Sequence, residues 1–369
     1  MMGRAPRPKL PMNLADIPAQ RLVHQHILKP SFQKADDVVR WMGALQSQDY
    51  AAAKWAVARR AANLTDSAID RALAEGAILR THVMRPTWHF VAPEDIRWLL
   101  ALTAPRVHAA NAYYYRQLEL NQATIKRSRA VWTKTLSGGN QLTRRELGIA
   151  LRRAGLEADG LRLAYLIIHA ELDGIICSGA RRGKQFTYAL LDERVPPAGP
   201  RPRDEALAEL TRRYLTSRGP ATEEDLIWWS GLSRADVKRG LELVRRSFEK
   251  EEIEGRVYWF SARPLGRKLP RTFVLLPNFD EYVVGYADRS AIFDPSRADQ
   301  LDARRNPLFQ HTIVIDGHVR GTWKRTLKKD RVILELNPFA PLTKIEREAI
   351  VVAAGGYADF LEMQAELQI

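Results

Sequence analysis

Cysteine is almost absent: Cys177 is the only one in 369 residues. A lone thiol excludes an intramolecular disulfide and any cysteine-based zinc site, and it fits a reducing compartment. Long apolar stretches are missing as well, and no charge-free run approaches the length needed to cross a bilayer. The opening residues MMGRAPRPKLPMN carry basic side chains without an apolar core, so they do not read as a secretory signal. These absences predict a cytoplasmic protein with no membrane partner. Signature motifs are scarce too. GxSxG, GxxxxGK[ST], HExxH, GxGxxG and CxxC do not occur, which removes support for serine hydrolase, phosphate-loop, zincin and dinucleotide readings. His24 and His26 alternate within a helical stretch, so their rings diverge and no metal site follows. No lysine is marked as a Schiff-base nucleophile, which disfavours a lyase. Neither a metal nor an organic cofactor is expected.

What the chain has in excess is positive charge. Lys and Arg number 57 against 43 Asp and Glu, a formal net charge of +14. Such an excess draws polyanions through counterion release, although a solvated basic surface produces the same count. With 46% hydrophobic and 27% charged residues, the composition is that of packed domains rather than a disordered polycation.

An architectural repeat organises the chain. From Thr143, LTRRELGIALRRAG opens on a capping box with Glu146. A second helix, LRLAYLIIHAELDG, follows with Leu163, Leu166, Ile167 and Ala170 on one face and Gly174 at its end. A strand at Ile175–Cys177 then leads into the hairpin GARRGKQFTYAL, tipped by Arg181, Arg182 and Lys184. Helix, turn, helix, strand and basic-tipped hairpin is the order of a winged helix. The order recurs beyond the proline-rich segment VPPAGPRPRD. There Thr222 caps ATEEDLIWWSGL, and Ser233 caps a recognition-type helix bearing Lys238, Arg239, Arg245 and Arg246. The arms FEKEEIEG and RVYWFS form the wing. A looser copy lies earlier, in KADDVVRWMGAL, AAAKWAVARR, DSAIDRALAEG, ILRTHV and TWHFVA. Beyond Arg271 the pattern changes: RTFVLLPNFDEYVVGY, HTIVIDG, HVRGTWKRT and RVILELNPF read as strands, with Asp316-Gly317 as a hairpin turn. A last helix, capped by Thr343 and Glu346, presents Ile345, Ala349, Val352 and Phe360 inward.

The predicted fold class is therefore α+β, mainly α, with three tandem winged helices and a C-terminal β-rich unit closed by a helix. The expected divisions are a disordered head over 1–14, a first winged helix with following helices over 15–120 and a second over 121–194. A linker over 195–203, a third winged helix over 204–268 and the C-terminal unit over 269–369 complete the chain. Stacked modules of this kind line up phosphate contacts, for which Arg144, Arg145, Arg152, Arg153, Arg181, Arg182, Lys184, Arg239, Arg245 and Arg246 are the candidates. Each is equally readable as a solvated surface charge. Among the nine tryptophans, Trp41, Trp55 and Trp98 sit at core spacing, and Trp228-Trp229 closes a short helix. Only Trp88 is a candidate for stacking on DNA.

The segment ALQSQDYAAAKWA stands out for chemistry. Gln46 and Gln48 lie two apart in a connection, and Asp49 precedes an alanine-rich helix. On the residues alone, a capping aspartate with polar loop glutamines is the simpler reading and a catalytic site the sharper one. His82 and His89, on the two arms of the first wing, read either as contacts to DNA or as a packed, hydrogen-bonded pair.

QSQD, RTHVMRPTWHFVAPEDIRWLL, LLPNFDEYVVGYADRS and GTWKR together resemble the AlkZ/YcaQ-like winged-helix DNA glycosylases, from about Leu22 to Phe360. The resemblance implies three tandem winged helices with a C-terminal β-barrel-like unit around a basic channel. It implies excision of N7-alkylated purines from double-stranded DNA, unhooking of interstrand crosslinks by some members, no cofactor, and a DNA-contacting β-hairpin. The family's Gln-x-Gln catalytic motif maps onto Gln46, Ser47 and Gln48. A sister branch has Asp in the second place, so Gln48 points to the AlkZ-type branch. The chemistry is reasonable for amides. An N7-alkylated purine is already cationic and leaves without protonation; what remains is to place water beside an oxocarbenium-like sugar and stabilise its charge. Asp49 is a candidate third member, through electrostatics, alongside its capping role. The alternative is a non-catalytic winged-helix DNA-binding regulator. The protein is expected to act as a monomer.

Overall fold

The computed structural model describes residues 12–261 and 271–368. The head expected over 1–14 and the end of the third module at 268 thus fall partly outside the described residues.

Local caps start the helices where the sequence announces them. Thr143 with Glu146, Thr222 with Asp225 and Thr343 with Glu346 all form reciprocal capping boxes, each satisfying two backbone N–H groups that a helix start leaves over. The first part of the chain contains α1 (Asp16–His24), α2 (Ala35–Met42), β1 (Leu45–Gln46), α3 (Tyr50–Ala58), α4 (Asp66–Glu75), β2 (Leu79–Val83), β3 (Arg85–Val91) and the long α5 (Pro93–Gln117). The second contains α6 (Gln122–Leu136), β4 (Leu142–Thr143), α7 (Arg144–Arg153), α8 (Gly160–Leu172), β5 (Ile176–Ser178), β6 (Thr187–Leu190) and α9 (Leu191–Arg194). The third has α10 (Arg203–Arg218), α11 (Glu223–Ser230), α12 (Arg234–Val244), β7 (Glu249–Ile253) and β8 (Arg256–Phe260). The last has β9 (Phe273–Leu276), α13 (Glu281–Val284), β10 (Thr312–Ile315), β11 (His318–Leu327), β12 (Arg331–Pro338), α14 (Lys344–Leu361) and β13 (Gln364–Gln368).

Three small sheets, ordered β1-β3-β2, β4-β6-β5 and β7-β8, accompany the helices. The C-terminal sheet runs β13-β12-β11-β10-β9, antiparallel except for the final β12–β13 pair. Asp316-Gly317 makes the β10–β11 turn with both residues at positive φ, 49° and 84°, the twist a tight hairpin favours.

Two expectations are corrected. NFDEYVVGY is not a strand. Asp280 accepts the Tyr282 N–H at 2.8 Å and starts the short helix α13 instead. On α14, Ile345 and Val352 are 61% and 75% exposed, so they do not face inward. The buried stripe runs through Ile350, Ala354, Tyr357, Ala358 and Phe360.

The cores cross the units. One cluster joins Leu79 and Trp98 to Leu172 and Cys177 and on to Leu207, Tyr214 and Trp229. A second joins Val38, Trp55 and Phe90 to Leu275, Trp323, Leu334 and Tyr357, so the C-terminal sheet packs directly on the first helices. Burial lifts the Cys177 thiol's pKa to about 12, which leaves it an inert packing group. Among the described residues no helix is long and apolar enough to cross a membrane.

Candidate active site

The QSQD letters fold as a strap along a sheet edge. Leu45 and Gln46 pair with Phe90 and His89 of β3, and Ser47 N–H extends the ladder to Trp88 O at 2.7 Å. The chain then turns into α3, where Asp49 Oδ1 accepts Ala52 N–H at 3.1 Å as the N-cap. Strand pairing decides which side each residue faces: Gln46, His89 and Thr81 form one cross-strand row. Gln46 is 7% exposed, whereas Gln48 is exposed.

A guanidinium fixes one amide and a backbone N–H the other. Arg85 Nη2 donates to Gln46 Oε1 at 2.7 Å; guanidinium has no acceptor, so that amide atom must be the oxygen. Gln48 Oε1 accepts the Trp88 N–H at 3.4 Å. Each amide oxygen thus keeps a second lone pair. Between them, Arg80 donates from Nε and Nη2 to Ser47 O at 3.2 and 3.1 Å. Burial lowers the pKa of both Arg80 and Arg85 to about 10, still cationic at neutral pH.

The strap is anchored from beneath by residues far away in sequence. Glu281 Oε1 accepts Gln46 N–H at 2.8 Å, while Oε2 accepts Arg218 Nε and Nη2 and Trp229 Nε1 at 2.8–3.0 Å. Arg218 also donates to Met42 O and Ala44 O, just ahead of β1. Next to it, Asp280 binds Arg60 of the α3 C-terminus through both oxygens, at 2.8 and 3.0 Å. A buried carboxylate with both oxygens hydrogen-bonded holds its partners firmly, because an unpaired buried charge is costly. Asn278 Nδ2 reaches Asp49 Oδ2 at 3.5 Å, and Asn278 N–H donates to His311 Nδ1 at 3.0 Å. Burial first, then the Arg325 charge, lowers His311 to about 4. Neutral imidazole is what an Nδ1 acceptor requires. Sequence reasoning did not single out Arg80, Arg85, Arg218, Asn278, Glu281 or His311. Arg80 and Arg85 lie unremarked in the RTHVMRPTWHF text and Asn278 and Glu281 in the PNFDEY text, which reads as strand.

Cations and aromatic rings alternate beside the strap. Arg80 lies over Trp88 at 4.4 Å and Phe186 at 4.6 Å, and Arg181 over Tyr50 at 4.7 Å. His82 packs against Trp88 with the rings tilted, centroids 4.3 Å apart, and shares a hydrogen bond with Glu171. His82 and His89 are both buried. Burial, reinforced by Arg85, pushes His89 far below the usual imidazole range. Trp228 departs from the expected core role: it is 43% exposed, its Nε1 bonds Val284 O at 2.9 Å, and Arg85 and Arg289 flank its ring. Within this neighbourhood Ser47 Oγ, Thr81 Oγ1, Arg85 Nε, His89 Nε2 and Asn278 Oδ1 are buried without a hydrogen-bond partner among the described residues.

Of the predicted basic contacts, Arg181 reaches this neighbourhood. Arg182 pairs with Glu146, Arg152 with Asp159, Arg239 with Asp204 and Arg245 with Glu242, and Arg144 donates to Gly160 O. Arg145, Arg153, Lys184 and Arg246 are exposed. None of these bonds to the strap.

A family profile described as DNA glycosylase AlkZ-like matches residues 39–360, taking in the strap, its anchor and strands β9 to β12 of the C-terminal sheet. The chain belongs to the AlkZ-like DNA glycosylase family. Among characterised proteins it is similar to the interstrand DNA cross-link repair glycosylase of Streptomyces sahachiroi, 26% identical over 363 residues, covering 90% of this chain and 93% of that one. The fold matches the solved structure of Streptomyces sahachiroi DNA glycosylase AlkZ with a TM-score of 0.78 at 20% identity, over 97% of this chain and 100% of the other. The motif resemblance holds at the level of the family.

Proposed function

We propose that this chain is a monofunctional DNA glycosylase that hydrolyses the N-glycosidic bond of N7-alkylated purines in double-stranded DNA, interstrand crosslinks included, acting as a monomer. The observation that carries the reading is the strap itself: two neutral amides, each with a free carbonyl lone pair, on an edge anchored by buried charge from α10 and α13. On this reading the Gln46 and Gln48 oxygens accept hydrogen bonds from one water and direct it at the anomeric carbon. Their dipoles oppose the positive charge that develops on the sugar. The cationic purine departs without a proton donor, so no general acid is required. Asp49 adds negative potential from the α3 cap, and Arg85 fixes Gln46 and supplies a cation to the backbone. The unpartnered polar atoms around Gln46 are suited to polar groups of a bound lesion.

The three helix-and-hairpin units are read as winged helices over 15–120, 121–194 and 204–268, joined by the linker at 195–203 to the unit over 269–369. Arg144, Arg145, Arg152, Arg153, Arg181, Arg182, Lys184, Arg239, Arg245 and Arg246 are assigned to phosphates. Trp88, backed by His82 and with His89 beneath, is assigned to the DNA surface beside the lesion. Incubating the protein with a duplex bearing one N7-methylguanine tests the reading: abasic sites should accumulate well above the spontaneous rate. Product at the spontaneous rate, with intact DNA binding, returns the chain to the non-catalytic regulator.

A further inference from the structure

A second cluster of chemistry-bearing side chains lies outside the strap and its anchor. His108 projects from the middle of α5. His169 and Asp173 sit four residues apart at the end of α8, Asp173 being its C-cap. The spacing that brings i and i+4 onto one helix face thus aims both at the neighbouring helix. His108 Nε2 lies 3.2 Å from Asp173 Oδ1, and His169 Nδ1 lies 3.2 Å from Asp173 Oδ2. One donor atom from each of the three falls within 4.8 Å of the others. Among the described residues no lysine or arginine pairs with Asp173, which faces these two imidazoles.

We propose that His108, His169 and Asp173 bind a divalent transition metal ion, with zinc the fitting ion, and that its open coordination position faces the groove between α5, α6 and α8. Four features carry this. The 3.2 Å separations approach the edge of a zinc tetrahedron, about 3.3–3.4 Å for bonds near 2.0–2.1 Å. The donor set, two imidazoles and one carboxylate, suits zinc and its borderline neighbours and leaves room for a further ligand. His108 has the outer support that metal-bound histidines have: with Nε2 on the ion, its proton sits on Nδ1 and donates to Tyr115 Oη at 2.9 Å. The α8 C-terminus adds the negative end of its dipole, which favours a cation at Asp173.

The groove, about 1250 Å³, is lined by the cluster together with Lys126, Arg129 and Lys134. These cations make an anion, water-derived hydroxide or a phosphate oxygen, the suitable fourth ligand. To bind, each imidazole gives up the proton it shares with Asp173 and turns that nitrogen's lone pair to the ion, the ring staying neutral with a proton on its other nitrogen. The ion ties α5 to α8 and plays no part in base excision. The spacing of histidines along the chain does not disclose the site, because His108 and His169 meet only through helix packing.

The test uses the full chain, free of any histidine tag and stripped with chelator. Titration with zinc chloride in a calorimeter should give one ion per chain, and cobalt should give the visible bands of a four-coordinate ion, displaced by zinc. His108→Ala and Asp173→Asn should each weaken binding at least tenfold while leaving circular dichroism and glycosylase rate unchanged. Failure of the wild-type chain to bind, or equal binding by the variants, overturns the site. Either result leaves the glycosylase reading untouched, since that is read by abasic product.

Discussion

At the residue scale, the site consists of neutral groups held by charged ones. Gln46 and Gln48 have no proton to lose, and His311 and His89 are kept neutral by burial. The pH response of stability follows from that. In the unfolded chain His311 takes up a proton near pH 6.5, in the fold only near about 4. Above 6.5 neither state is protonated and nothing is lost. As pH falls from 6.5 toward 4 only the unfolded state gains the proton, so folding weakens by up to about 1.4 kcal/mol per pH unit. Melting temperatures at pH 7 and pH 5 should therefore differ less for His311→Gln than for the wild type; equal differences would show that His311 is protonated in the fold. Trp228 makes a separate residue-scale prediction. Its exposed ring beside Arg85 offers a stacking face, worth about 1–3 kcal/mol per base. Trp228→Ala should weaken lesion-DNA binding by roughly tenfold or more in a variant that stays folded by circular dichroism, and unaltered affinity in a gel-shift titration would refute it.

At the scale of elements, what the letters disclosed was local. Capping boxes at Thr143, Thr222 and Thr343 act within one turn, and the Asp316-Gly317 turn within two residues, so each is legible without knowing the fold. The QSQD motif was legible as text, yet its strand pairing and its Arg85 partner were not. The α13 segment was misread because an apolar run with two aromatics looks like a strand until Asp280 caps it. The anchor was out of reach altogether: Glu281 meets Gln46 across 235 residues and Arg218 across 63. On α14 the outward Ile345 and Val352 share helical spacing with buried neighbours, and periodicity alone does not say which stripe wins. The anchor's weight is measurable. Glu281→Gln leaves Arg218 buried without its counter-charge, which should cost about 3–5 kcal/mol in urea unfolding and slow excision in parallel. A loss below about 1 kcal/mol would mean the network does not hold the strap.

At the scale of the whole molecule, cores that run across the units make the chain one packed body in which the strap sits at a junction. The net charge of +14 then acts over the surface as a whole. Affinity for undamaged duplex should fall steeply with salt, and Arg145→Gln with Arg153→Gln should each lower the slope of log K against log salt by about 1 across all sequences. A slope unchanged in both variants would remove α7 from the DNA path. Above these tests stands the claim that the two glutamines act in catalysis rather than in binding. The direct measurement is single-turnover excision of N7-methylguanine alongside the dissociation constant for the same duplex, in Gln46→Ala and Gln48→Ala. Excision lower by about 10²–10³ at an affinity within about twofold of wild type is the predicted result; affinity and rate falling together, or a rate that does not change, would contradict it.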